Sequence, residues 1–178
     1  ATTKLLARFE IASAPARAPS PQRWSCLEEL TVSGPDSATI ETIEALGSGT
    51  WGRLRSLRLW GVEMTPDLDA SSARALAAAL RRMPALRALV LARVLLSNAA
   101  AAELFPGSSG EDTPLLRSLT IASADVTPAV ARALAASGWR LEKLNLDGNA
   151  NLGAAGLAAL AATPTFAVRL LSLQCCDV

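Results

Sequence analysis

Histidine, the usual general base and a common zinc ligand, does not occur in this 178-residue chain. The familiar nucleophile–histidine pairs and most zinc centres therefore cannot be built from it. Three cysteines, Cys26, Cys175 and Cys176, are too few for a disulfide framework and are not spaced as zinc ligands. In a strand-like segment the adjacent Cys175 and Cys176 point to opposite faces, so a disulfide between them would be strained. Cys176 is expected in the core and Cys175 on the surface, where a redox role would need an activating cation and a resolving partner that the sequence does not identify. Gly148, Gly153 and Gly156 are arranged somewhat like a phosphate-cradling loop. They lack the lysine of a P-loop and the spacing of a dinucleotide fingerprint, and a turn between strand and helix is the plainer reading. No catalytic residue, metal or cofactor is assigned, and the chain is not expected to be an enzyme.

The chemistry that remains is recognition, and it depends on what positions the polar side chains. An aliphatic residue followed by others three and five places later recurs seven times: Leu6, Phe9, Ile11; Leu27, Leu30, Val32; Leu54, Leu57, Leu59; Leu86, Leu89, Leu91; Leu116, Leu119, Ile121; Leu141, Leu144, Leu146; and Val168, Leu171, Leu173. The starts lie roughly 21 to 32 residues apart, within or near the span of known repeat units. The last two aliphatics of each unit sit two apart and share one strand face, so each unit begins with a short strand. Alanine-rich helical stretches follow most strands. Thr127 and Pro128 start one over 129–136, with Leu134 facing in; Ser71 or Ser72 caps 73–83; Ser97 or Asn98 caps 99–104; and Gly153 or Ala154 opens one through Leu157 and Leu160.

A strand and helix of this size cannot bury their apolar faces alone, so neighbouring copies must stack. The unit Leu141, Leu144, Leu146 with Asn149, and Cys176 three places after Leu173, resemble the leucine-rich-repeat family in its ribonuclease-inhibitor-like branch. That resemblance implies an α/β solenoid with about six to seven short parallel strands on a concave face and helices on a convex one. It implies a single domain over 1–178 with an irregular N-terminal unit, 1–26, and a protein-binding role. The family's asparagine position is filled by Pro35, Val62, Val94 and Ala124 in the other well-formed units, so the side-chain ladder that supports the turns is largely missing. Residues 14–21 are proline-rich and expected to be extended, and 106–114 read as a mobile loop.

Net charge is +1, so no global field argues for nucleic acid or a membrane surface. The most apolar stretch, 86–105, contains Arg87, Arg93, Ser97, Asn98 and Glu103, too polar for a span of about 20 residues, and no membrane insertion is expected. The cysteine usage fits a reducing, intracellular setting, cytoplasmic or organellar. The chain opens on Ala1, which leaves room for a removed presequence or a longer parent chain.

Positions alternating with the core aliphatics face outward. They bring together Arg58 and Trp60 on one side, small residues in the middle, and Asn145, Asp147 and Gln174 on the other, a composition suited to protein docking. Just after the first aliphatic of each unit the sequence reads Glu28, Arg55, Arg87, Arg117, Glu142, Arg169. Strands about 4.8 Å apart set the three arginines side by side. Glu28 and Glu142 are expected to neutralise the outer two, leaving Arg87 without a counterpart, so the concave-face site comprises Arg55, Arg58, Trp60, Arg87, Arg117, Asn145, Asp147 and Gln174. A second contact is expected at the C-terminal edge, Leu171, Leu173 and Cys175, because stacked units need polar caps. The leading reading is a non-catalytic subunit that binds other proteins in a larger assembly, with no small-molecule substrate. An RNA-contacting accessory protein of a ribosome-like particle and a substrate receptor in ubiquitin ligation stay open.

Overall fold

Alternation of aliphatic with small or polar residues commits one side of each short segment to a core and the other to water. The computed structural model describes residues 8–10, 26–34, 37, 39–49, 51–61, 67–107 and 115–178. In chain order its elements are β1 (Arg8–Glu10), β2 (Glu29–Ser33), α1 (Ile40–Ser48), β3 (Ser56–Trp60), β4 (Asp67–Leu68), α2 (Ala70–Arg81), β5 (Ala88–Ala92), β6 (Leu95–Leu96), α3 (Asn98–Leu104), β7 (Ser118–Ala122), α4 (Pro128–Ala136), β8 (Lys143–Asn145), α5 (Gly153–Ala161) and β9 (Leu170–Ser172). Seven strands form one parallel sheet in the order β1-β2-β3-β5-β7-β8-β9, and β4 and β6 pair as a separate two-stranded parallel sheet. The expectations for 14–21, Leu6, Ile11, Pro35, Val62 and the loop over 108–114 lie outside the described residues.

The register is that of the aliphatic pattern. Leu30, Leu57, Leu89, Leu119, Leu144 and Leu171 form one row across the sheet, and Val32, Leu59, Leu91 and Ile121 another. Leu57, Leu59, Leu89, Leu91, Leu119, Leu144 and Leu146 are all buried. β1 departs from the expected alignment: Phe9 pairs with Val32, not with Leu30, so the first unit sits two residues away from the register its spacing implied.

Below the leucine rows runs a backbone ladder. The carbonyls of Glu28, Arg55, Arg87, Arg117 and Glu142 each accept two N–H groups from the start of the next unit, at 2.7 to 3.0 Å. The last of these donors are Arg169 and Leu170. This pairing satisfies the polar groups at every strand start and holds the six residues in line.

Four helices begin on oxygen caps. Thr39 accepts from Thr42 N, Asp69 from Ser72 N, Ser97 from Ala100 N, and Thr127 from Val130 N with Pro128 in the first turn. For α2 this replaces the expected serine caps. The Asp69 carboxylate lies 2.7 Å from the Ser72 N–H and also accepts from the Ser71 hydroxyl, so the charged acceptor takes the cap and the helix starts three residues earlier. Hydrogen bonds from Ser72 and Ser71 hold the Asp69 carboxyl below the usual aspartate value. α5 has no side-chain cap and is led in by a 3-10 turn, Ala150–Leu152.

The helices pack in sequence, α1 on α2, α2 on α3, α3 on α4 and α4 on α5. Their buried residues, among them Ile43, Leu76, Leu80, Leu104, Val130, Leu134 and Leu160, join the sheet leucines in one core. Phe105 and Trp139 meet edge to face with ring centroids 5.0 Å apart, fastening the ends of α3 and α4. The helices therefore cover one face of the sheet.

Leu144 is 1% exposed and Leu171, at the same register on the last strand, 37%. Leu144→Ala should cost about 2 to 5 kcal/mol in urea unfolding, while Leu171→Ala should cost about 1 kcal/mol, since less surface leaves water at that site.

Candidate functional site

The face of the sheet opposite the helices carries the outward side chains in three columns. From β2 to β9 they read Glu29, Ser56, Ala88, Ser118, Lys143, Leu170; then Thr31, Arg58, Val90, Thr120, Asn145, Ser172; then Ser33, Trp60, Ala92 and Ala122 on β2, β3, β5 and β7. Beyond Asn145 and Ser172, Asp147 and Gln174 follow β8 and β9. Arg58, Lys143 and Gln174 are exposed, while Asn145 and Asp147 are half-buried. Trp60 is 46% exposed, a large indole at the C-terminal end of β3. Ala92, expected to face water, is buried; it pairs in register with Trp60 on one side and Ala122 on the other.

The arginine row is in place but is not equally available. Arg117 forms an ion pair with Glu142 on the next strand. Among the described residues Arg87 has no acid partner, but its guanidinium donates to the carbonyls of Pro84 at 3.0 Å and Leu86 at 2.9 Å, which fixes it beside the start of β5. The five N–H donors of a guanidinium can take backbone carbonyls and still keep the positive charge. Glu28 and Arg55 do not form an ion pair, so among the described residues Arg117 is the one outer arginine that is neutralised. Arg93, read from the sequence only as a polar interruption of 86–105 and not as a site residue, follows β5 with φ 55°, in the left-handed region, and is exposed. Its signal is positional, since the residue after each strand reads Gly34, Gly61, Arg93, Ser123, Gly148 and Cys175 once Asp147 and Gln174 are counted in their units.

At the far side Asn145, Asp147 and Ser172 form a closed network. Asn145 Nδ2 donates to Asp147 Oδ2 at 2.8 Å, the Asp147 N–H donates to Asn145 Oδ1, and Asp147 Oδ1 accepts from Ser172 Oγ at 2.7 Å and from the Gln174 N–H at 2.8 Å. Burial works against ionisation of Asp147, but the hydrogen bonds from Ser172, Gln174 and Asn145 together hold its carboxyl below the usual aspartate value. These residues brace β8 against β9, and Asp147 has little acceptor capacity left for a ligand.

The glycine segment forms the connection between β8 and α5. The Gly148 N–H donates to Gln174 O, that of Leu152 to Asn149 O and that of Gly153 to Cys176 O, so these three donors are already used. Gly148 has φ +74°, and a Cβ there would come within 2.7 Å of Ser123 Oγ. At Gly156 a Cβ would run into the Leu152 side chain. Asn149 is 1% exposed. Its Oδ1 accepts from the N–H groups of Ala124 and Val126, and its Nδ2 donates to the carbonyls of Ile121 and Leu146, tying the turn of one unit to the next. Buried Cys176 makes the corresponding contact one unit on, its thiol 3.0 Å from Leu146 O, while Cys175 is exposed.

A groove of about 460 Å³ lies where α2, α3 and α4 begin, lined by Leu68, Asp69, Leu95, Leu96, Ser97, Asn98, Asp125 and Thr127. Its polar groups serve the fold: Asp69, Ser97 and Thr127 cap helices, the Thr127 hydroxyl donates to Asn98, and Asn151 donates to Asp125. Among the described residues no three cysteine, aspartate or glutamate side chains gather as a metal site would require. None of the described helices is long and apolar enough to cross a membrane. At the last strand Leu170 is 58% exposed, Leu171 is exposed and Leu173 half-buried, a second apolar surface separate from Trp60.

No known protein family matches this chain, and no curated protein is significantly similar to it.

Asp147 yields a test of the network. Because its carboxyl titrates below the unfolded value, its contribution to stability is present above the unfolded value and is lost as pH falls through the folded one. The difference in urea-unfolding free energy between wild type and Asp147→Asn should be constant from pH 7 to 5 and should shrink on acidification to pH 3. Replacing Asn149 with leucine should cost about 2 to 4 kcal/mol at any of these pH values, since it strands buried backbone groups.

Proposed function

We propose that the chain is a leucine-rich-repeat solenoid, similar to the ribonuclease-inhibitor-like branch, that binds other proteins through the open face of its sheet and has no catalytic site of its own. Support for the repeat comes from the in-register leucine rows, the carbonyl ladder from Glu28 to Glu142, and Asn149 and Cys176 at equivalent places in consecutive units. The observation that carries the binding role is a parallel sheet with one face left uncovered by the described residues. Such sheets are ordinarily packed on both faces, whereas here one face holds small and polar residues around an exposed Trp60. A large aromatic next to arginine has the composition of an interface hot spot. Asp69, Ser97, Thr127, Asp147 and Asn149 are engaged in caps, turns and strand bracing, which supports recognition as the work of the exposed side chains. In this reading the partners are other protein subunits, met inside a larger assembly.

Arg58 is a better probe than Arg87, because Arg87→Glu would set a carboxylate against the Pro84 and Leu86 carbonyls and disturb the fold as well as the surface. Affinity capture from extracts of the source organism should recover a protein with wild type and lose it with Trp60→Ala and with Arg58→Glu. Both variants should keep their unfolding free energy within about 0.5 kcal/mol, as surface substitutions do. Capture that survives both changes would move the site to the helical face.

A further inference from the structure

We propose that the open face takes a short acidic stretch of an extended polypeptide, two or three carboxylates long, laid across β3 and β5 with an apolar side chain beside Trp60. This rests on the reading of that face as a protein-binding surface and adds the chemistry and footprint of its ligand. Arg55 immediately precedes β3, Arg58 lies within it, Arg87 immediately precedes β5 and Arg93 follows it. All four are exposed, and among the described residues none has a carboxylate partner. Arg87 is held in place by the Pro84 and Leu86 carbonyls, so the order of its side chain is fixed before any ligand arrives.

The positive field is bounded on both sides. Toward the N-terminal edge the neighbouring strand brings exposed Glu28 and half-buried Glu29, and toward the other edge the Arg117–Glu142 ion pair separates the field from exposed Lys143 on β8. With strands about 4.8 Å apart and five residues spanning about 16 Å, the cationic field is roughly two strands wide and one strand long. An extended peptide lying across the strands advances about 3.3 Å per residue, so two or three acidic residues cover the two-strand width and a fourth or fifth would reach Glu28 or the Arg117–Glu142 pair. That boundary disfavours a polyanion such as RNA, whose charge runs on past the field, and among the described residues one exposed indole offers one stacking platform, not a series. Beside the arginines, Trp60 next to buried Ala92 supplies the apolar contact.

The test is fluorescence anisotropy with labelled twelve-residue peptides of serine, glycine and one leucine, carrying no, one, three or six consecutive glutamates, and with a twelve-nucleotide oligouridine. Affinity should rise by about tenfold or more from none to three glutamates and by no more than about twofold from three to six. Arg58→Glu combined with Arg93→Glu should remove that gain while leaving the circular dichroism spectrum and unfolding midpoint unchanged. Affinity that climbs steadily to six glutamates, oligouridine binding tighter than every peptide, or no dependence on glutamate overturns the inference. A captured protein that depends on Trp60 but not on Arg58 and Arg93 would leave the binding face standing and refute its acidic ligand, so the two failures are distinct.

Discussion

The carbonyl groups of Glu28, Arg55, Arg87, Arg117 and Glu142 each hold two N–H groups of the following unit, and from that contact the rest of the molecule is set. Fixing the start of each strand against the one before leaves a single register, and that register brings Leu57, Leu89, Leu119 and Leu144 into one buried row. A slip of one residue would turn every leucine of a strand to water and every outward residue into the core. Hydrogen bonding and apolar burial thus select the same alignment. The open face inherits its order from the same source: Arg58, Val90 and Thr120 are neighbours because Leu57, Leu89 and Leu119 are.

The fold was largely legible because its signal repeats. A single aliphatic triplet means little, but the same spacing recurring at Leu54, Leu86, Leu116 and Leu141 defines parallel strands joined by helices, and the caps at Ser97 and Thr127 were readable from residue type. The α2 cap was misjudged because Ser71, Ser72 and Asp69 all offer oxygens, and only geometry reveals that the carboxylate reaches the free N–H. α1 and the β4–β6 pair carry weaker patterns and were not assigned in advance. β1 misled through its spacing, since Leu6, Phe9 and Ile11 imitate the triplet while the backbone pairs Phe9 with Val32.

The candidate face was legible in position but not in availability. Alternation alone placed Arg58, Trp60 and Asn145 outward. It could not reveal that Arg87 bonds to carbonyls three and one residues earlier, that Asp147 is consumed by Ser172 and the Gln174 N–H, or that Arg93 follows a strand in a left-handed backbone. These are matters of side-chain torsion and local turn geometry, which a pattern of residue types does not encode. The division is physical: burial is set by periodicity, whereas a long cation's partner is set by a few ångströms.

Pairing length differs along the sheet, and this bears on how the chain folds. Between β2, β3, β5 and β7 each strand pairs over five residues, while β1, β8 and β9 join over three. Every strand meets only its neighbours, so each docking step closes a loop of similar size and meets a similar entropic barrier. The longest pairings return the most per closure, which places the folding nucleus in the middle of the molecule, from which order spreads toward both edges. The strands that carry Arg58, Trp60 and Val90 are then the first to take shape and the last to lose amide protection during unfolding.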